Sequence, residues 1–537
     1  MGNSNGPWWR GAALYQIYPL SFADSNGDGW GDLPGITARL DHVSSLGVDG
    51  IWLSPFYEGA FADFGYDTTN QKAVDPRLGT LADFDALLQR AHELGLKVLV
   101  DQIYTYTSNR HEWFQQSRTV RGGEKDDWYV WADPRPDGAP PNNWLSIFGG
   151  SAWEWDRSRR QYYMTHFLPG MPHLQAQTPA VQEALLDIGR FWLDRGVDGF
   201  RLDVINLCMV DPALRDNPRA TAVDEPVAMP GHAQEMRYDG SLVESFDFVG
   251  RIRRLADERP GRFLLGEIAG RNPMSDAQRY CRGDNLLHSA YFVLGAETQP
   301  LTASTLREEL SRWTERQESW PTWSFSNHDV IRAPSRCGGP QPNSEFATLL
   351  VAILATARGT ILLYQGDELG LPDGRVPFEC LRDPATKRFF PDYLQRDGAR
   401  TPMPWIASAA QAGFTHGVPW LPLGQNHADL AVDLQEQLED STLAWTRQLL
   451  ALRRAYPALR TGDCHFIDLP EPLLAFDRVV EDRRVRCIFN LSPNTTTLND
   501  PIVTAGAVPL SRGHRRGRSG ESILQPFGFC LIEREVE

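Results

Sequence analysis

Gly199-Phe200-Arg201-Leu202-Asp203 is a short apolar run carrying a cation and a carboxylate two residues apart. Side chains alternate across a strand, so Arg201 and Asp203 share one face. Leu264-Leu265-Gly266-Glu267 and Phe325-Ser326-Asn327-His328-Asp329 repeat the form downstream, each an apolar run that ends in an acid. A parallel barrel gathers its chemistry at the carboxyl ends of its strands, and acids ending three strand-like runs suit that arrangement. The pattern points to an enzyme for glycosidic bonds.

Working outward, strand-like runs alternate with amphipathic helices, the signature of a βα-repeating domain with a parallel sheet. The runs are 14–18, 50–53, 98–102, 199–204, 262–267, 287–292, 323–326 and 360–364. The expected class is therefore α/β, a (β/α)8 TIM barrel with an inserted subdomain after strand 3 and a C-terminal antiparallel β domain. Thr80 can cap a helix with a stripe of Leu81, Phe84, Leu88, Ala91 and Leu94, ended by Gly95. Thr178-Pro179 opens another that stops at Gly196. The Trp-, Pro- and Gly-rich segment 104–176 is too long for a bare βα loop and reads as a subdomain over the barrel mouth. The barrel then occupies 1–103 and 177–448, with a second insertion near 211–241, and 449–537 reads as a β-sandwich.

The 537 residues are 42% apolar and 23% charged, ordinary for globular protein, and the net charge of -16 disfavours nucleic acid or an anionic membrane surface. No stretch reaches the eighteen or more apolar residues of a membrane span, and residues 1–10 carry no apolar signal core. The seven cysteines are scattered, without a Cys-x-x-Cys pair, which disfavours a zinc site or disulfide framework. The expectation is a cytoplasmic enzyme with a small carbohydrate substrate, a periplasmic form being the alternative. No organic cofactor is called for, and oligomeric state is not readable.

A retaining glycosidase needs one carboxylate as nucleophile and one carboxylic acid to protonate the leaving oxygen, about 5 to 5.5 Å apart. Asp203, with Arg201 to favour its charged form, fits the first part; Glu267, without an adjacent cation in its run, fits the second.

Tyr15-Gln-Ile-Tyr-Pro19, Gly50-Ile-Trp-Leu-Ser-Pro55, Gly65-Tyr-Asp67, Gly199-Phe-Arg-Leu-Asp203, Gly266-Glu267, Ser326-Asn-His-Asp329 and Arg400-Thr-Pro-Met-Pro-Trp405 together resemble the α-amylase superfamily, glycoside hydrolase family 13, in its bacterial α-glucosidase and oligo-1,6-glucosidase branch. The resemblance implies Asp203 as nucleophile, Glu267 as general acid/base and Asp329 as transition-state stabiliser. It also implies a glucose site completed by Asp63, Tyr66, Phe148, Arg201, His328 and Arg400, with Asp63 and Arg400 clamping the non-reducing end for exo action. An α-glucosidase with transglycosylation capacity is the reading. A sucrose-isomerase-like or trehalose-synthase-like enzyme is the alternative, and a non-catalytic sugar-binding or partner protein a remote one.

Asp24-Ser-Asn-Gly-Asp-Gly-Trp-Gly-Asp32 sets Asp24, Asn26, Asp28, the Trp30 carbonyl and Asp32 at calcium-loop spacing, although Gly35 stands where such a loop closes with Glu. A structural calcium or magnesium is expected. The chain departs from the family pattern in three places. Asp101-Gln-Ile-Tyr-Thr-Tyr106 lacks a histidine that the family places against the sugar's O6, Met171-Pro-His-Leu-Gln175 replaces Gln-Pro-Asp-Leu-Asn, and Leu20 replaces an arginine. Tyr106 can still donate a hydrogen bond, either reaching O6 differently or crowding the hydroxymethyl. Val204 accompanies α-1,6 preference in the resembled branch.

Overall fold

The computed structural model describes residues 6–535 apart from 120, 221–229, 271, 297–299, 315–318, 339–342, 392–395, 500–505 and 519–520. Eight parallel strands close a barrel: β1 (Ala13–Ile17), β2 (Gly50–Leu53), β3 (Lys97–Gln102), β4 (Gly199–Leu202), β5 (Phe263–Gly266), β6 (Ser289–Val293), β7 (Trp320–Ser324) and β8 (Thr360–Tyr364), with β8 paired to β1. All eight expected runs are strands. The seventh occupies Trp320–Ser324 rather than 323–326, because the Ser324 hydroxyl turns back onto the Ser326 carbonyl and ends the run there.

Alternation along these strands builds two cores. Leu14, Trp52, Leu99, Phe263, Leu265 and Leu362 fill the barrel interior, while Tyr15, Ile51, Val98, Val100, Phe200 and Leu264 join the larger core, the division a helix-wrapped barrel requires. The helix Leu81–Glu93 starts at a reciprocal Thr80–Asp83 capping box, and Phe84, Leu87, Leu88 and Ala91 are its buried face. The helix Pro179–Arg195 ends on Gly196 at φ 103°, a left-handed position that suits glycine.

Between β3 and that helix, residues 104–176 carry the helix Glu112–Thr119 and a sheet of Trp131–Ala132, Trp153–Asp156 and Gln161–Met164. The second insertion includes a bridge between Arg219 and Gln234, and its residues 221–229 lie outside the described set. Two expectations are corrected at the C-terminal end. The boundary at 449 falls inside the helix Thr442–Ala455, whose Leu443, Leu449 and Leu450 are buried in the barrel's main core, so the last domain begins with the strand Asp463–Ile467.

That domain is one six-stranded antiparallel sheet among the described residues rather than a sandwich. Its long strand Ser522–Glu535 pairs with three neighbours, and the Ala507–Arg516 partner carries two register shifts that bend the sheet. Leu474, Phe476, Phe489 and Phe529 then merge with the main core, and Leu473, Ala475, Ile488 and Ile532 form a separate cluster on the opposite face. Against the main core, a second sheet is not required to cover the apolar face. All seven cysteines are free thiols, and no helix among the described residues is long and apolar enough to cross a membrane.

Candidate active site

Strand register assembles the centre of the site. Asp101 at the end of β3 pairs with Arg201 of β4, and Arg201 pairs with Leu265 of β5, two residues before Glu267. Arg201 is fully buried. Its Nη1 donates to Asp101 Oδ1 and Asp203 Oδ1, each at 2.6 Å, and its Nη2 donates to Glu267 Oε2 at 2.5 Å. One planar guanidinium therefore holds both candidate catalytic acids at the carboxyl end of the barrel. The Tyr291 hydroxyl donates to the other Glu267 oxygen at 2.9 Å, and the Val204 amide donates to Oε2 at 3.2 Å.

Val204 directs that amide from a left-handed conformation, φ 33°, unusual for a β-branched residue and a local strain. The chain turns sharply just past Asp203, which leaves the carboxylate at the rim.

Asp101 and Asp203, buried side by side on one cation, do not both ionise freely. Burial raises the Asp101 carboxyl to about 6 against the pull of Arg201. Burial also pushes Asp203 up, with Arg201 opposing and the Glu267 and Asp101 charges adding to the rise. A hydrogen bond from the Tyr106 hydroxyl to Asp203 Oδ2, 2.6 Å long, works in the opposite sense.

A second cluster lies across the pocket. Asp329 Oδ1 accepts from Arg400 Nη2 at 2.7 Å and from Arg396 Nη1 at 3.1 Å, and His328 Nε2 stands 3.2 Å from Oδ2. Burial opposes its ionisation, but the Arg400 and Arg396 guanidiniums outweigh that and hold the Asp329 carboxyl well below the usual range, His328 adding to the pull only where it is protonated. Burial lowers His328 to about 3, so it is neutral, with Gln16 Nε2 donating to its Nδ1 at 2.8 Å. Its ring lies between those of Tyr18 and Tyr66, the latter nearly parallel at 5.3 Å. Among the described residues His328 Nε2 and Arg400 Nη1 are buried without a hydrogen-bond partner, which makes them donors that a ligand's hydroxyls could engage.

Asp63 and Arg400, the expected clamp residues, are linked through Arg396 and Asp329. Asp63 pairs with Arg396, not Arg400: Arg396 Nη2 bonds Asp63 Oδ1 and Asp383 Oδ1, each at 2.6 Å. Arg396 and Arg400 lie four apart on the short helical turn Arg396–Ala399 and its exit, so both reach Asp329 while only Arg396 extends to Asp63. Phe148 is buried with the Arg396 guanidinium 5.0 Å above its ring. Arg396, Asp383, Asp101, Gln16 and Tyr291 were not singled out from sequence. The Arg396-Asp397-Gly398-Ala399-Arg400 spacing was the available signal for Arg396; the others depend on distant chain segments meeting.

Of the three departures from the family pattern, one touches the catalytic acids. Tyr106 does. His173 sits behind it, its two ring nitrogens facing the Leu174 and Leu207 carbonyls, while burial lowers it to about 4 and leaves one proton for both contacts. Leu20 is buried in the main core, and the Gln175 amide bonds the Trp128 carbonyl.

On the side of Glu267 a cavity of about 600 Å³ opens, lined in part by Ile268, Asn272, Met274, Phe292 and Val330, a volume that suits a small-molecule group. The Asp24–Asp32 loop lies elsewhere in the fold. Asp24, Asn26 and Asp28 accept amides two or three residues on, and Asp32 caps the helix Leu33–Ser45 while taking the Ser25 amide and hydroxyl. Among the described residues no three His, Cys, Asp or Glu side chains are gathered to hold a metal ion. The loop's all-oxygen donors, Trp30 carbonyl included, fit a hard cation in kind.

Residues 16–462 match the family model "Alpha amylase, catalytic domain". A probable α-glucosidase of Rhizobium meliloti (strain 1021) is 46% identical over 92% of this chain and 91% of its own length. An oligo-1,6-glucosidase of Heyndrickxia coagulans is 32% identical over 92% and 94%. The crystal structure of the α-glucosyl transfer enzyme XgtA superposes with a TM-score of 0.93 at 46% identity, covering 98% of this chain and 99% of that one. The barrel, the acids at its rim and this likeness along nearly the whole length agree: the chain belongs to the α-amylase family, glycoside hydrolase family 13.

Proposed function

We propose that this protein is a retaining, exo-acting α-glucosidase for short oligosaccharides or α-glucosides, able to pass the sugar to alcohols as well as to water. The observation that carries this reading is Arg201 bonding Asp203 and Glu267 through neighbouring nitrogens, which brings both acids to one reacting centre. Asp203 attacks the anomeric carbon while Glu267 gives its proton to the leaving oxygen, so a C–O ester bond forms as the glycosidic C–O bond breaks. Glu267 then takes a proton from water or an alcohol, whose oxygen displaces Asp203. Asp329, with His328 and Arg400, is the stabiliser whose contacts with sugar hydroxyls favour the distorted transition state.

Exo action is supported by the Asp63–Arg396–Asp383 ion pairs beside Asp329, which favour a short, closed sugar pocket. Val204 supports α-1,6 preference, a difference that pocket packing makes worth about ten- to two-hundredfold. The cavity beside Glu267, on the leaving-group side, together with the likeness to an α-glucosyl transfer enzyme, favours transfer as a second reading. Asp24, Asn26, Asp28, Asp32 and the Trp30 carbonyl would hold a structural calcium or magnesium ion. The free thiols support a reducing, cytoplasmic setting.

The test is turnover of p-nitrophenyl α-glucoside, isomaltose and maltose, with products followed by NMR. Wild type should release the α-anomer first and Asp203→Asn should be silent. Initial β-anomer, or activity retained in Asp203→Asn, rejects the mechanism. Sugar appearing mainly on an added alcohol favours transfer.

A further inference from the structure

We propose that Tyr106 is a positioning residue which holds the nucleophile Asp203 by its second oxygen and speeds breakdown of the glycosyl ester; this rests on the mechanism above. The residue stands where the family pattern has histidine, and among the described residues its hydroxyl makes one hydrogen bond, to Asp203 Oδ2 at 2.6 Å. Asp203 Oδ1 is already held by Arg201. The carboxylate is thus gripped at both oxygens, by a guanidinium on one side and a phenol on the other.

The phenol is fixed before substrate arrives. Tyr106 is 3% exposed, its ring packs edge-on against Phe167 at 5.2 Å, and its backbone forms an antiparallel bridge with His173. On either side, Thr105 accepts the Leu174 amide at 2.9 Å and the Thr107 hydroxyl meets that of Tyr129 at 2.8 Å. Little freedom remains for the ring to follow a ligand instead. The ionisable groups facing Asp203 are Asp101 on β3, Arg201 on β4, Glu267 after β5 and Tyr66 after β2, with Asp63, His328 and Asp329 beyond Tyr66. Among the described residues, Arg201 and Tyr106 are the two that donate a side-chain hydrogen bond to Asp203.

A hydroxyl bonds a carboxylate about twice as strongly as it bonds a neutral carbonyl. The Tyr106 bond is therefore strongest while Asp203 carries its charge, weakens when the carboxylate oxygen has formed the ester, and strengthens again as the C–O ester bond breaks and the electron pair returns to Asp203. The sugar moves to the oxygen of water or an alcohol, the proton moves to Glu267, and no other reactant is needed. Tyr106 accordingly makes Asp203 a better leaving group and keeps it ionised to lower pH.

The experiment is Tyr106→Phe in the full-length enzyme, with 3-fluorotyrosine at position 106 as a stronger donor of the same shape. In Tyr106→Phe the acid limb of kcat/KM should move up by about one pH unit, kcat should fall about tenfold more than kcat/KM, and p-nitrophenol should appear as a burst approaching one per enzyme. The fluorinated enzyme should move the limb the other way, which keeps the idea testable if the phenylalanine variant fails to fold. An unmoved acid limb in both proteins, or equal losses in kcat and kcat/KM without a burst, overturns the proposal. Activity surviving in Asp203→Asn would instead overturn the underlying mechanism, so the two failures are told apart.

Discussion

Replacing Arg396 by Met removes a cation that bonds Asp63, Asp383 and Asp329 together while keeping an unbranched apolar stem. Arg396 is 6% exposed and donates to Asp383 through Nε at 3.1 Å and Nη2 at 2.6 Å, and to Asp63 at 2.6 Å. Breaking a buried pair by deleting one partner costs about 3–5 kcal/mol, because the remaining charge stays buried. Part of that figure can be traced to Asp383. Burial works against its charge, yet Arg396 above all holds it at about 2. A carboxyl depressed by this much contributes roughly 2–3 kcal/mol, at about 1.4 kcal/mol per pH unit. That stabilisation is fully present above the ordinary carboxyl value and is lost as pH falls toward about 2. Without Arg396, Asp63, already raised by burial, is left with its strongest opposing charge removed. A carboxyl whose folded value exceeds its unfolded one destabilises the fold above that value and is relieved as pH falls. Thermal unfolding of wild type and Arg396→Met should therefore differ most near pH 7, and the gap should narrow by about 1.4 kcal/mol per unit as the variant takes up a proton on acidification to pH 5. Buried acids that do not touch Arg396 are common to both proteins and cancel in the difference, whereas Asp329 also loses a partner and shifts in the same sense as Asp63. Arg396→Lys should lose less. A gap of the same size at pH 7 and pH 5 would refute the reasoning and assign Arg396 a packing role alone.

Glu267→Gln should slow α-methyl glucoside, whose leaving group needs a proton, by about 10²–10⁴-fold, and p-nitrophenyl α-glucoside much less; equal losses on both would remove Glu267 as the proton donor. Chelation followed by calorimetry tests the Asp24–Asp32 loop: an ion held at a hundred times its dissociation constant adds about 2.7 kcal/mol, so the melting temperature should drop and recover with added calcium or magnesium, and an indifferent melt rejects the ion. Arg453 donates to the carbonyls of Gly11, Ala355, Ala357, Gly359 and Leu459, knitting together the approach to β1, the approach to β8 and the helix Pro457–Thr461 that leads into the C-terminal sheet. Arg453→Met strands those acceptors, apart from Leu459, whose carbonyl keeps Arg478 Nη1, at about 1–3 kcal/mol each, so the variant should lose stability steeply and be cut by protease near residue 462 first; a melt unchanged from wild type contradicts this.

The chain's own pattern determined the barrel. Eight apolar runs, period-2 alternation and capped helices between them specify strand, helix and closure, since each is a local preference written in adjacent residues. The acids ending three of those runs were legible for the same reason: the end of a strand is visible in sequence, and so is what stands there. Which cation meets which acid was not. Arg400 stood out through the resemblance while Arg396 did not, and only the turn that carries both decides that Arg396 reaches Asp63. The C-terminal strands were legible as strands, but whether they form one curled sheet or two stacked ones depends on the neighbouring core that covers them. Tyr106 was visible as a departure from pattern; that its hydroxyl lands on Asp203, 97 positions away in sequence, follows from β3 and β4 lying side by side. Local sequence sets the direction each side chain takes from its own backbone, whereas the partner at the far end is chosen by packing between segments that share no stretch of chain.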